Sequence, residues 1–197
     1  MEYVVIVILA IFLLTSASQR DTRQPQKNIA VKPQSTTFQY KRPWGYENID
    51  SWRLKEFIKK FQPSSQDYQI EIMANAIIKN AKLYDVDPKL IAGLIARESS
   101  FNSNAKSATG ALGLGQIKPF NFADLGITDA FNPDQNIKGV AIMLKDLLDK
   151  WQGHTQQVEM ALASYTEGYN GVKRNNSYKY ETKLYVEAIL KYRQDLS

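Results

Sequence analysis

From residue 46 onward the chain carries a single kind of periodicity. Apolar residues return at three- and four-residue intervals, and no run alternates apolar with polar residues for long enough to make a strand. That pattern predicts a mainly α fold. Asp67 to Leu83 presents Ile70, Met73, Ile77 and Ala81 on one face. Asp87-Pro88 is a helix start, with Asp as cap and Pro in the first turn, and Leu90, Ile91, Leu94 and Ile95 form the stripe that follows. Asn132-Pro133 opens a helix in the same way, with Ile137, Val140, Ala141, Leu144, Leu147, Leu148 and Trp151 on its apolar side. Thr155 is expected to cap a helix through Val158, Ala161, Leu162 and Tyr165, and a last helix carries Leu184, Tyr185, Ala188, Ile189 and Tyr192. A Gly-rich loop, Thr109 to Gln116, separates the Asp87 and Asn132 helices.

The first 45 residues read differently. Tyr3 to Leu14 is an unbroken apolar run, short for a membrane span, which needs about 20 residues, but long enough for the core of a signal peptide. No Lys or Arg precedes it, and the basic residues follow it, which favours an uncleaved anchor over a cleaved signal with its cut after Ala17. Residues 18–45 are rich in Gln, Pro, Ser, Thr and Lys and read as a flexible linker. The expected organisation is a hydrophobic anchor or signal segment over 1–17, a basic linker over 18–45 and a helical domain over 46–197.

Charge and composition narrow the chemistry. The net charge is +5, and the linker's six basic residues and one acidic residue account for all of it. The remainder is balanced, which is not the footprint of a nucleic-acid binder; the linker suits an anionic surface such as lipid headgroups or wall polymer. There is no cysteine and one histidine, His154, so a cysteine nucleophile and a multi-histidine metal site are both excluded. The glycine loop lacks the Gly-Lys-Ser/Thr of a phosphate-binding loop.

Glu98 stands out. It falls four residues after Leu94 and seven after Ile91, on their helical face and near the end of the helix. An apolar surround and the negative end of the helix dipole both disfavour its ionised form, so its pKa is expected to be raised. A carboxylic acid protonated near neutral pH can give a proton to a leaving-group oxygen, as glycosidic cleavage requires. The same position also fits a helix-terminal glutamate paired with Lys or Arg, or turned to solvent.

The residues around it form an ordered set. Glu98-Ser99-Ser100-Phe101-Asn102, Ala105, Ser107, Gly110 to Ile117, Pro119, Asn132-Pro133, Asn136-Ile137, Gly139, Ser164 to Gly168 and Glu181 to Val186 follow one another in a way that resembles lytic transglycosylases of the soluble (SLT) type. The resemblance covers roughly residues 84–192. It implies a lysozyme-like helical fold shared with goose-type lysozymes, Glu98 as catalytic acid, Ser107 and Gln116 orienting the acid or binding sugar, and Tyr165 and Tyr185 close to the acid. Thr166 replaces an Asn of the family that often supports the site and is taken with them as a substrate-binding position. It implies no metal and no cofactor. Ser107 and Gln116 also fit a bland role in satisfying loop backbone, and the two tyrosines fit ordinary core positions.

The implied reaction cuts the bond between N-acetylmuramic acid and N-acetylglucosamine of peptidoglycan and closes a 1,6-anhydro ring. Two departures bear on it. Gly115 stands where the family commonly has Met, expected to open the groove wall. Thr166-Glu167 replaces Asn-Ala and brings a second carboxylate, expected to be partly exposed and not catalytic; were it close to Glu98 it could activate water. The alternatives are therefore a muramidase of the same fold, or a wall-binding or assembly protein with weak catalysis. The implied location is the cell envelope, periplasmic or membrane-anchored through residues 1–17, or a virion. The implied partners are peptidoglycan glycan strands, the membrane, and a phage particle or secretion apparatus, with no nucleic acid.

Overall fold

The computed structural model describes residues 49–197; the apolar segment 1–17, the linker 18–45 and residues 46–48 lie outside the described residues. The domain is built of helices Ser51–Phe61 (α1), Asp67–Tyr84 (α2), Pro88–Ser99 (α3), Phe122–Leu125 (α4), Pro133–Lys150 (α5), Gln157–Glu167 (α6), Tyr169–Asn175 (α7) and Tyr180–Asp195 (α8), with a 3-10 turn over Pro119–Asn121 leading into α4. Among the described residues the extended backbone is confined to isolated bridges, Lys106 with Leu112 and Leu112 with Ile117, which fold the glycine loop back on itself.

The α3 helix is the centre. Every residue from Pro88 to Ala96 is buried, so it is a core helix rather than an amphipathic one. It packs against α8, α2, α5 and α1. Its start and stop are both local chemistry. Asp87 accepts from the backbone N–H of Lys89 at 2.9 Å, and Pro88 supplies a first turn with no N–H to satisfy. At the other end Ser100 and Phe101 take positive φ, 50° and 60°, which breaks the helix immediately after Glu98 and Ser99. The second helix start works alike, with Asn132 accepting from Gln135 N–H at 3.1 Å.

The α8 helix lies antiparallel beside α3. Arg193, near its end, donates to the otherwise buried Asp87 at 2.6 Å, while Tyr185, near its start, reaches Glu98. The two contacts fix the sliding register of the pair.

Two sequence expectations change here. Thr155 does not cap its helix: α6 begins at Gln157 with Gln156 at the cap position and no side-chain hydrogen bond there. The α8 stripe is also rotated. Leu184 is exposed, and the buried set is Thr182, Tyr185, Val186 and Ile189, an i, i+3, i+4, i+7 series that Leu184 interrupts. The other stripe residues are buried as expected, apart from Val158, Tyr165, Ala188 and Tyr192, which are half-buried.

Candidate active site

A groove of about 1010 Å³ runs along the face where α3, the glycine loop, the 3-10 turn, α5 and the end of α6 meet. Glu98, Ser107, Gln116, Tyr165 and Thr166 all line it, as does Glu167. Residues spread over 70 positions of sequence are brought to one cavity by the packing of α5 against the central helix and of α6 against α5 and α8.

Glu98 is half-buried, and the burial of its carboxyl raises its pKa above the usual glutamate range. The hydrogen bond from Tyr185 and the charge of the neighbouring Arg97 pull it back part of the way. The Tyr185 hydroxyl donates to Glu98 Oε1 at 2.5 Å. Tyr185 is itself buried, and burial together with the Glu98 charge holds its own pKa well above that of an ordinary phenol, so it stays a donor. The Arg97 guanidinium lies 5.5 Å from the centre of the Tyr185 ring. Tyr185 thus touches the acid from behind rather than lining the groove.

Tyr165 takes a different partner. Its hydroxyl donates to the backbone carbonyl of Gly115 at 2.9 Å, tying α6 to the glycine loop. Burial raises its pKa well above normal, and the Glu98 charge adds to that.

Ser107 and Gln116 face the groove with polar atoms already engaged in the loop. The Ser107 oxygen accepts from Ala111 N–H at 2.9 Å and lies 3.1 Å from the Thr109 hydroxyl. Gln116 Nε2 donates to Gly113 O at 2.8 Å and to Ala105 O at 3.3 Å, leaving its Oε1 open. Gln116 holds a positive φ of 50° to do so. Thr166 is exposed on the groove edge.

Gly113 and Gly115 of this loop pack against α5 rather than toward the groove, which corrects the expectation for Gly115. A Cβ on Gly115 would lie 2.1 Å from Val140 Cγ2, inside the core. One on Gly113, whose φ is +73°, would lie 2.1 Å from Ala130 O. The Gly113 space is also needed by Asn136, fully buried on α5, which accepts from Gly115 N–H at 2.7 Å and donates to Ala130 O at 2.8 Å and Leu112 O at 3.1 Å. In the sequence Asn136 stands out only as a member of the ordered set around Glu98. A buried amide opposite two glycines was the available signal for its clamping role.

Glu167 is partly exposed, as expected. Its Oε1 accepts from the backbone N–H of Lys179, the residue before α8, at 2.9 Å. Partial burial pushes its pKa up, but hydrogen bonds from Thr182 and Lys179 and the Lys179 charge outweigh this and hold it below the usual range. It is an ionised cap on the start of α8.

A helical domain that folds a bridged loop beside a half-buried glutamate has the lysozyme-like architecture of SLT-type lytic transglycosylases. The chain belongs to the transglycosylase SLT domain family, whose model matches residues 75–187. It is 41% identical over 87 residues to the transglycosylase of Enterobacteria phage PRD1, covering 44% of this chain and 31% of that protein. It is 37% identical over 100 residues to membrane-bound lytic murein transglycosylase F of Desulfosudis oleivorans, covering 49% of this chain and 22% of the relative. The X-ray structure of lytic transglycosylase Slt from Pseudomonas aeruginosa, solved as an inactive glutamate-to-glutamine mutant, matches 69% of this chain and 26% of its own with a TM-score of 0.53 and 25% identity. The chain spans less than a third of the length of these relatives.

Proposed function

We propose that the domain is a lytic transglycosylase that cuts peptidoglycan strands between N-acetylmuramic acid and N-acetylglucosamine, with Glu98 acting first as acid and then as base. The observation that carries this reading is Glu98 itself: a carboxyl whose burial favours the protonated form, lining a groove of about 1010 Å³, and oriented by the Tyr185 hydroxyl.

In the proposed reaction Glu98 gives its proton to the bridging oxygen as the bond from that oxygen to C1 of muramic acid breaks. The substrate's acetamido oxygen stabilises C1, in the substrate-assisted manner that dispenses with a second carboxylate. The Glu98 carboxylate then takes the proton of the sugar's O6 hydroxyl as O6 bonds to C1. The acid is regenerated and a 1,6-anhydro ring results. Ser107, Gln116, Tyr165 and Thr166 are proposed to contact the glycan, with the open Gln116 Oε1 and the exposed Thr166 hydroxyl free to bind sugar hydroxyls. Tyr185 is proposed as the positioning residue of the acid.

The commitment of Glu167 to the start of α8 supports ring closure over hydrolysis, because a water-activating base needs a free oxygen near C1. Digestion of sacculi in ¹⁸O-labelled water tests this. Anhydro ends without label are expected, whereas labelled reducing ends would establish a muramidase.

The proposed setting is a membrane-associated one, in the cell envelope or a phage particle, with residues 1–17 as tether. The apolar run in that segment and the names of the membrane-bound and phage relatives support it. No described helix is long and apolar enough to cross a membrane.

A further inference from the structure

A second cavity, of about 500 Å³, opens behind the turn that ends α3, between α1, α2 and the start of α5. It shares no lining residue with the groove that holds Glu98, although Phe101 and Asn102 in its wall follow Glu98 by only three and four positions. Its volume is in the range of small-ligand sites.

The chemistry of the wall is specific. The floor is apolar, made by the buried Met73 and Phe101. One side presents Tyr68 and Ile72, which are 62% and 48% exposed and contribute little to the core. Of the five carboxamides in the lining, Gln62 is engaged at both ends, by Ser100 O and the Ser65 hydroxyl, and the other four have unused capacity. The Asn104 side chain makes no hydrogen bond among the described residues, and Asn102, Gln69 and Asn132 each spend only the side-chain oxygen, on Asn104 N, Gln66 N and Gln135 N. Their NH₂ groups are left as unused donors. The one charged side chain in the lining, Asp134, is neutralised by Lys79 at 3.0 Å.

The geometry points to a second carbohydrate site here, one that holds an uncharged N-acetylated sugar of the glycan strand away from the cleavage point. An electrically neutral wall disfavours phosphate, nucleic acid and charged peptide, each of which needs a compensating charge. Amide donors around an exposed aromatic face match what a sugar offers: hydroxyls and an acetamido carbonyl at its edges, and an apolar ring face. The choice of sugar rests on reading the groove as glycan-cleaving. A site of this kind keeps the domain on an insoluble polymer between cuts by raising the local concentration of strands.

The test uses the full chain carrying Glu98→Gln, titrated with the uncharged tetramer of N-acetylglucosamine and followed by backbone amide NMR shifts. Two separate sets of shifts are expected, one around Gln116 and Thr166 and one around Tyr68 and Asn104. Adding Tyr68→Ala and Asn104→Ala, both at exposed positions, is expected to weaken the second set about tenfold, the loss of a stacking contact and a hydrogen bond, and to leave the first unchanged. Silence of the second set, or an unchanged affinity for it in the altered chain, overturns the proposal. Shifts at the cavity with a silent groove uphold it while removing the cleavage reading of the groove.

Discussion

The Tyr185 hydroxyl donates to Glu98 Oε1 at 2.5 Å across the α3–α8 interface, joining residues 87 positions apart. The bond favours the carboxylate, while burial favours the acid, so the pair sets how far the Glu98 pKa rises.

Replacing Tyr185 by Phe removes the downward pull and leaves burial unopposed except by Arg97. Since the reaction needs protonated Glu98, activity falls as pH rises through its pKa. The Tyr185→Phe variant is expected to move that alkaline limb to higher pH and to lower kcat about tenfold through lost orientation. A pH–rate profile on soluble glycan strands checks both. A limb that moves down, or stays put, contradicts the assigned role.

The raised pKa of Glu98 is also a statement about stability. The folded state binds this proton more tightly than the unfolded chain does. The favourable contribution is present below the unfolded pKa and is lost as pH rises through the folded one. Above the unfolded pKa that contribution declines, so Glu98→Gln is expected to melt no lower than wild type at pH 7. Thermal unfolding at pH 4 and pH 7 measures this, and the advantage of the variant should be larger at pH 7.

For Glu167 the sign reverses. Its pKa is depressed, so its contribution is present above the unfolded pKa and is lost as pH falls through the folded one. The Glu167→Gln variant should lose Tm at pH 7 but not at low pH, and should still give anhydro products. A switch of product in this variant would make Glu167 part of the chemistry.

The loop beside the acid depends on the absence of a side chain. Gly115→Ala forces a Cβ against the stiff Val140 side chain and should cost about 1–3 kcal/mol. Asn136→Ala strands the buried N–H of Gly115 and two carbonyls and should cost at least about 2 kcal/mol. Denaturant unfolding of both gives the figures, and reduced activity should accompany them because the loop forms one groove wall.

How much of this was legible depended on how local each cause is. Asp87-Pro88 and Asn132-Pro133 announced their helices because a cap and its N–H lie two or three residues apart. The α4 and α7 helices escape such a reading, because four and seven residues offer too few turns for a stripe to emerge. Leu184 misled because an exposed leucine next to Tyr185 mimics a core position, and only packing against α3 sets the rotation of α8. Glu98 was visible as a carboxylate on an apolar stripe. Its bond to Tyr185, the Asn136 clamp and the capture of Glu167 by α8 join elements distant in sequence, and no local pattern encodes them.

The account turns on one carboxyl, and purified sacculi treated with wild type and with Glu98→Gln test it most directly. Release of soluble muropeptides is expected to fall at least about a hundredfold in the variant, the usual worth of a general acid, with the fold intact by circular dichroism. Equal release by the two proteins would contradict the assignment of Glu98 and with it the proposed mechanism.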